Sequence, residues 1–385
     1  MPIHKSFATI EKTISETAEA QFIGKIRVSS GSAAVLGITP SLLKAWPTTI
    51  YLMTFLLGKC SANCGFCSQA KGSHSRTEML SRVSWPDFDA HRVVRALESS
   101  RLDPKVKRVC VQALNYPEVL EDLLAITRMI RAQNINIPIS VSCQPLKKAQ
   151  MKELAEAGVE RMGIPIDAAT QVIFERIKGK KANGPYDWNT HHKTLLEATQ
   201  VFGKGKASTH LIVGLGEKES DLLKQIAWCT KHHIQPGLFA FTPITGTMLA
   251  AWNPPNVESY RRIQLARHLI VNGQVDFSEV SFDSNGQVKD FGISSTQLDE
   301  VIKTGEPFRT SGCPDCNRPF YNEKPSGPIY NFPVKLAFHE IEKIRRQILR
   351  KPRSPYTKQK SQISDNGLFF GSIKDEGVTA DFDKS

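Results

Sequence analysis

The sequence predicts an α/β chain whose strand–helix units close into a TIM-type (β/α)8 barrel, with an N-terminal cap and a C-terminal helix plus tail. Three observations carry this expectation. Strand-like and helix-like patterns alternate about eight times along 385 residues, the order that yields parallel strands with crossover helices. A barrel of this kind commonly takes about 250 residues as one unit, so the chain has room for one with flanking segments. The hydrophobic share of 40% suffices for a packed core, beside an ordinary charged share of 23%.

Taken in order, residues 1–49 hold one weak amphipathic pattern (Phe7, Ile10, Ile14) and read as the cap. Expected strands are 50–57, 106–112, 136–142, 159–164, 207–213, 237–241, 276–282 and 307–310. Helical patterns fall at 85–99, 118–132, 147–157 and 222–232. The run 178–185, with two Gly, one Pro and four Lys/Asn, reads as a loop insertion. A helix over 333–350 places Val334, Phe338, Ile341, Ile344 and Ile348 on one face and turns Lys343, Arg346 and Arg350 away. The barrel with its C-terminal segment thus spans 50–350, and the polar stretch 351–385 reads as a mobile tail.

Composition narrows the compartment. No apolar run approaches the roughly 18 residues needed to span a bilayer, and the start lacks a basic-then-apolar secretory pattern. The eight cysteines of such a chain argue for metal or redox chemistry rather than disulfides. A reducing compartment follows, most simply the cytoplasm. Net charge is +12, and the stretch 331–360 alone holds nine Lys/Arg against two Glu. Such a run is either a solvated face or an attraction for an anionic partner. Nucleic acid is not expected, because no aromatic-studded strand or recognition helix accompanies the charge.

The most informative feature is Cys60, Cys64 and Cys67 in Lys-Cys-Ser-Ala-Asn-Cys-Gly-Phe-Cys, directly after the first expected strand. That spacing lets one short loop hand three thiolates to one iron–sulfur cube, whose irons favour soft sulfur. One iron of the cube then lacks a protein ligand and is open to a small molecule. The competing reading is a zinc site short of one ligand, although structural zinc sites close with four.

A second set follows the eighth expected strand, where Cys313 and Cys316 lie in Gly-Cys-Pro-Asp-Cys-Asn. Alone they read as half a zinc knuckle. Cys110 lies in the second expected strand and Cys143 follows the third. In a closed barrel strands eight, one, two and three are neighbours, and their C-terminal ends line the mouth. Cys110, Cys143, Cys313 and Cys316 are therefore expected to converge on a second metal centre beside the first. Iron–sulfur is preferred to zinc there, while Cys110 and Cys143 each also read as buried core thiols. Cys229, on a helical pattern, reads as a small buried hydrophobe, and His210 as a hydrogen-bonded core histidine. Neither Gly-x-Ser-x-Gly nor a phosphate loop is present.

The triplet, with Phe66 just before its third cysteine, resembles the signature of radical S-adenosylmethionine (SAM) enzymes. The resemblance implies a [4Fe–4S] cluster whose open iron chelates the methionyl amino and carboxylate groups of SAM. An electron from the cluster then cleaves the sulfonium to give a 5′-deoxyadenosyl radical. It implies that Phe66 packs against the adenine, a role compatible with anchoring the loop in the core. Gly214 and Gly216, in Ile-Val-Gly-Leu-Gly-Glu, resemble the family's adenine-binding strand end, although any strand-to-helix turn can use glycine. Asp167 is a candidate for the ribose hydroxyls or, equally, the N-cap of a helix over 168–177.

Over about residues 50–336 the likeness narrows to the biotin synthase and lipoyl synthase branch. Its members insert sulfur at unactivated C–H positions with two clusters, one making the radical and the other dismantled as sulfur donor. Two departures matter. Ser208 stands where biotin synthases carry a strand-five cysteine, and no cysteine precedes Cys60 as in single-protein lipoyl synthases. The stretch Phe-Arg-Thr-Ser-Gly-Cys-Pro-Asp-Cys-Asn-Arg-Pro-Phe-Tyr-Asn-Glu is similar to two-component lipoyl synthases, in which two related radical proteins each add one sulfur to a protein-bound octanoyl chain. That likeness implies two [4Fe–4S] clusters and SAM, an octanoylated acidic carrier domain, a related radical SAM partner protein and an electron donor. Lys343, Arg346 and Arg350 would help dock the carrier, with no membrane and no nucleic acid involved. Biotin-synthase-like insertion, another two-cluster radical enzyme and a non-enzymatic zinc or iron scaffold are the alternatives.

Overall fold

The computed structural model describes residues 24–100, 105–133 and 135–349. In chain order the first half comprises β1 (Lys25–Val28), α1 (Ser30–Val35), β2 (Thr49–Thr54), a ribbon of β3 (Met79–Leu80) and β4 (Val83–Ser84), β5 (Asp87–Asp89), α2 (Ala90–Ser100), β6 (Arg108–Gln112), α3 (Val119–Ala132), β7 (Ile139–Ser142), α4 (Lys148–Glu156) and β8 (Arg161–Gly163). The second half adds α5 (Gln171–Ile177), α6 (Trp188–Phe202), β9 (Ala207–Val213), α7 (Glu219–Lys231), β10 (Gln235–Ala240), α8 (Val257–Val271), β11 (Ser281–Phe282), β12 (Val288–Asp290), α9 (Ser295–Thr304) and α10 (Phe338–Leu349).

The central sheet runs β10-β9-β8-β7-β6-β2-β1-β5. From β2 to β10 all pairings are parallel, whereas β1 pairs antiparallel with both β2 and β5. The first six expected strands are therefore present, five of them followed directly by helix and β2 by the β3–β4 ribbon and β5 before α2, and the α/β class stands. The last two are not strands of this sheet. In 276–282, Asp276 caps a 3-10 turn at Phe277–Glu279 by accepting from Ser278 N, and only Ser281–Phe282 pairs, with β12. In 307–310, Pro307 sits in the 3-10 turn Glu306–Phe308, and Arg309 makes an isolated bridge to Phe332. Apolar alternation in short runs does not distinguish a strand from such turns. No pairing among the described residues joins β10 to β2. β1, by contrast, comes from the segment read as a cap, Ile26 lying opposite Thr54.

Helix α8 was hidden by its composition. Arg261, Arg262, Gln264 and Arg267 are all buried, so the polar residues lie inward instead of marking a wet face. Each has a partner: Arg261 and Gln264 donate to Tyr330 O, Arg267 donates to Pro236 O at 2.8 Å, and Arg262 meets Glu219. On α10, Ile341, Ile344 and Ile348 are buried as the pattern requires. The helix begins at Phe338, however, and Val334 and Phe338 are exposed, at 53% and 79%. Lys343 and Arg346 face solvent, and Arg345 pairs with Asp299 of α9. Arg350, the 351–385 tail and the Phe7, Ile10, Ile14 pattern lie outside the described residues.

The Glu219–Arg262 pair is almost fully buried, with side chains 4% and 7% exposed. Glu219 also accepts from Ser259 Oγ at 2.7 Å and Val288 N at 2.8 Å, tying α7 to α8 and β12. Glu219→Ala is expected to cost about 3–5 kcal/mol, because it strands a buried guanidinium. Chemical denaturation measures this, and a midpoint indistinguishable from wild type would contradict the account.

Candidate active site

Side chains alternate between the faces of a strand, and parallel register carries one face across the sheet. Tyr51 lies opposite Cys110, Cys110 opposite Ser140, and Ser140 opposite Arg161. Two residues on, Met53, Gln112, Ser142, Gly163 and Ser208 form the next row. Tyr51, Met53, Gln112, Ser142 and Ser208 of these rows line a cavity of about 280 Å³, together with all of the predicted cluster cysteines, Cys60, Cys64, Cys67, Cys110, Cys143, Cys313 and Cys316.

The triplet loop leaves β2 and is held by its own backbone. Cys60 N donates to Gln69 O at 2.9 Å, Gly65 N to Ile177 O at 2.7 Å, and Leu249 N to Gly65 O at 3.0 Å. Amides also point at sulfur: Ala62 N and Asn115 N lie 3.4 and 3.1 Å from Cys60 Sγ, and Gln69 N 3.4 Å from Cys67 Sγ. Burial pushes the Cys67 thiol up to about 12 and raises Cys64 further, against the opposing pull of Lys178. Thiols raised in this way keep their protons unless a cation replaces them, so metal binding here releases protons. Soft donors, amide support and a shared cavity fit an iron–sulfur cluster. Among the described residues no three His, Cys, Asp or Glu side chains converge as ligands of a single metal ion would. A cube seats each thiolate on a different iron and so accommodates wider spacing.

The expected SAM contacts divide. Phe66 lines the cavity and also packs against the core. Asp167 lines it too, buried and with a left-handed φ of 65°, and its carboxylate receives Lys178 Nζ at 2.7 Å. Asp167 is not a helix cap: α5 starts at Gln171, and Thr170 accepts from Ile173 N. Lys178 is itself buried, donates to Pro165 O at 2.6 Å and stands 5.0 Å from the Tyr186 ring. Gly214 and Gly216 are outside the cavity lining. Gly214 N and Leu215 N donate to the Glu217 carboxylate at 2.6 and 2.9 Å, and Ile212 is the residue from that strand end that lines the cavity.

The second set is assembled by the segment 309–318, which crosses from β10 to the entry of β2. Leu238 N donates to Ser311 Oγ at 2.8 Å, Thr48 N to Asn317 Oδ1 at 2.9 Å, and Asn317 Nδ2 to Trp46 O at 2.7 Å. Tyr51 Oη then lies 3.1 Å from Cys316 Sγ, and Ser140 Oγ 3.9 Å from Cys313 Sγ. Both residues flank Cys110 in register, so the contacts draw Cys110, Cys313 and Cys316 together, and Gln112 Nε2 donates to Cys110 Sγ at 3.1 Å. Burial and the neighbouring thiols raise Cys110, and burial raises Cys313 while Arg108 and Arg161 oppose it. This trio sits partway down the strands, toward their N-terminal ends. The expectation of a second centre beside the first at the mouth is corrected to that extent, because 309–318 enters as a crossing segment and not as an eighth strand.

Cys143 is out of phase with that row. It follows β7 by one residue, its thiol donates to Gln144 O at 3.1 Å, and burial alone raises it. Its field is felt at Tyr186, as are those of Cys60 and Cys64. Cys229 is buried on α7. Sequence reasoning missed Lys178, read as part of a loop, along with Tyr51, Tyr186 and Arg318. Only Arg318 had a local signal, two residues after Cys316. Its guanidinium lies 3.6 Å from the centre of the Phe239 ring.

Half-buried His210 lines the cavity, and desolvation there lowers its pKa from 6.5 to about 4, with Arg318 and Lys178 adding to the depression and Asp167 opposing it. The unfolded chain therefore binds a proton that the folded ring refuses, and stability falls as pH drops from about 6.5 toward 4. His210→Gln should give a shallower loss over that window in pH-dependent denaturation. An unchanged slope would contradict the assignment.

The Radical SAM superfamily family model matches residues 55–229, which span the triplet loop, β6 to β9 and most of α7. Curated relatives include biotin synthases. That of Christiangramia forsetii is 24% identical over 68% of this chain and 72% of its own length. That of Acinetobacter baylyi is 24% identical over 56% and 63%. The crystal structure of a methylornithine synthase overlaps 58% of this chain and 62% of its own, at 11% identity and a TM-score of 0.45. With the cysteine loop lining the cavity, the match of residues 55–229 to the radical SAM family model and the likeness to biotin synthases support a radical SAM enzyme.

Proposed function

We propose that the protein is a radical SAM sulfurtransferase that inserts sulfur into a protein-bound octanoyl chain, as one component of a two-component lipoyl synthase. The observation that carries the reading is the placement of two thiol sets at two depths of one cavity. Bound there, two [4Fe–4S] clusters and SAM would supply the 5′-deoxyadenosyl radical and the sulfur. Cys60, Cys64 and Cys67 would hold the radical-generating cluster, with the amides of Ala62, Asn115 and Gln69 orienting their sulfurs. Cys110, Cys313 and Cys316, with Cys143 as the fourth predicted ligand, would hold the donor. Arg108 and Arg161 offset the negative charge that thiolates bring to the site.

Cys110 and Asn115, whose amide meets Cys60, are five residues apart, so at strand rise the chain linking the two sets spans at most roughly 17 Å. The stretch between is lined by Gln112, Ser142 and Ser208 with Met53 and Ile212, a mixed surface that can hold an apolar chain and shield it from water. Asp167 and Phe66 are the groups available for the ribose and adenine of SAM. The partners would be an octanoylated acidic carrier domain, a related radical SAM protein and an electron donor, in the cytoplasm. No helix among the described residues is long and apolar enough to cross a membrane.

A biotin-synthase-like substrate is the second reading. The curated relatives favour it, and so do the positions of Cys110 and Cys143, while Ser208 departs from it. The deciding experiment incubates the reconstituted enzyme, alone and with a related partner, with an octanoylated carrier domain and separately with the sulfur-free biotin precursor. Intact-mass analysis should find sulfur added to the carrier. Sulfur only in the biotin precursor would transfer the assignment to the second reading.

Ala at any one of Cys60, Cys64 or Cys67 should abolish 5′-deoxyadenosine formation in a folded protein, and normal SAM cleavage by such a variant would end the radical assignment. The triple Ala variant should still bind about four irons and four sulfides after anaerobic reconstitution. Cys313→Ala should form 5′-deoxyadenosine but transfer no sulfur. One zinc without sulfide in the triple variant would remove the donor role.

A further inference from the structure

Outside the cavity lies an open groove of about 760 Å³. The two are not separate features, because Ser81, Phe241, Thr242 and Asn322 line both. Asn322 closes the shared wall: Thr242 Oγ1 donates to its carbonyl at 2.8 Å, and its amide donates to Ser81 Oγ at 3.4 Å. The second bond is long and weak, so the side chain can swing aside at little cost. Pro243, Ile244, Pro254 and Pro328 give the groove an apolar lining.

Its charge is one-sided. His74, Arg76 and Lys324 are exposed in the lining and Arg82 is half-buried. The one carboxylate in the lining, Glu323, is 5% exposed and accepts from Asn331 N at 2.9 Å, so it is turned inward. Arg76 is paired with Glu78, which leaves the cationic character mainly to Lys324 and Arg82. The groove's aromatic residues, Phe241 and Tyr330, are buried, so it offers no stacking platform for single-stranded nucleic acid.

We propose that this groove receives an acidic carrier domain and passes its lysine-tethered saturated acyl chain past Asn322 into the cavity. The inference rests on the octanoyl reading above and adds where the partner sits. Cations at the rim recognise the acidic domain, and the apolar lining takes the stem of the lysine and the start of the chain. A free small substrate enclosed by the cavity would need neither. Rim charges of this kind act mainly on association rate and salt dependence, and their effect fades as salt screens them.

The test measures binding of full-length protein to an octanoylated acidic carrier domain by calorimetry or biolayer interferometry at low and high salt. Arg82→Glu with Lys324→Glu should weaken binding about tenfold or more at low salt, and the difference should shrink at high salt. It should also raise KM for the tethered substrate more than it lowers kcat. Lys324→Glu alone, with a thermal melt to verify folding, should give a smaller loss in the same direction. Lys343→Glu with Arg346→Glu, on α10, is the comparison. If only that pair weakens binding, or if neither affinity nor salt dependence responds to the groove reversal, the groove is not the docking site. Competition between a short RNA and the domain for the groove would also overturn it. A wild-type protein that neither binds nor modifies the octanoylated domain would defeat the octanoyl reading itself, a result distinct from wild-type activity that ignores the reversed charges.

Discussion

Parallel register between β2, β6, β7 and β8 is the constraint on which the site depends. It places Tyr51, Cys110, Ser140 and Arg161 in one inward row and Met53, Gln112, Ser142 and Gly163 in the next. A slip of one residue would turn Cys110 outward and leave Cys313 and Cys316 without their third neighbour. Gly163 shows how closely the rows are packed, since a Cβ there would stand 3.2 Å from Ser208 Oγ and 3.4 Å from Ser142 Oγ. The buried apolar residues of β2, β6 and β7 hold the register, because Ile50, Leu52, Val109, Val111, Ile139 and Val141 face the helices while the alternate positions carry the chemistry.

Against that frame the loops supply what strands cannot. The triplet needs three thiols within eight residues, closer than strand alternation provides, and it is bent into place by turn hydrogen bonds and by the backbone of Ile177 and Leu249. The trio needs thiols from distant parts of the chain, and 309–318 brings two of them by anchoring at Leu238 and Thr48. Both arrangements bury acidic groups. The protein answers with cations: buried Lys178 near Cys64 and Asp167, and buried Arg108 with half-buried Arg161 near Cys313. Placing a cation in such a site is costly unless it is paired, which accounts for the second bonds made by Lys178 to Pro165 O and by Arg108 to Glu160.

Chemistry that makes a carbon radical requires a dry, ordered space more than it requires side-chain acids and bases. The depressed pKa of His210 and the raised thiols express that dryness. Asn322 lies on the wall shared by the cavity and the open groove, where its amide donates to Ser81 Oγ at 3.4 Å.

The sequence by itself determined the α/β class, six strands and the place of the cysteine-triplet loop after the first of them, because each is a local property. Hydrophobic runs mark buried parallel strands, and three cysteines within eight residues declare their chemistry without reference to the rest of the chain. It also picked out Cys110, Cys313 and Cys316, though for a geometry that did not hold, since the eighth strand from which their convergence was argued is a turn. Tertiary structure alone decided the rest. The phase of Cys143 relative to Cys110 depended on the register of β7 against β6, which sets Cys110 opposite Ser140 and is written in neither strand alone. The burial of the α8 arginines was decided there too, because composition does not reveal whether a charge has a distant partner. Lys178 looked like loop, because an ion pair across eleven residues, closed by a left-handed Asp167, leaves no periodic trace. Local patterns record which backbone forms; only the folded chain decides which distant groups share a low-dielectric space, and there partner and depth set what each group can do.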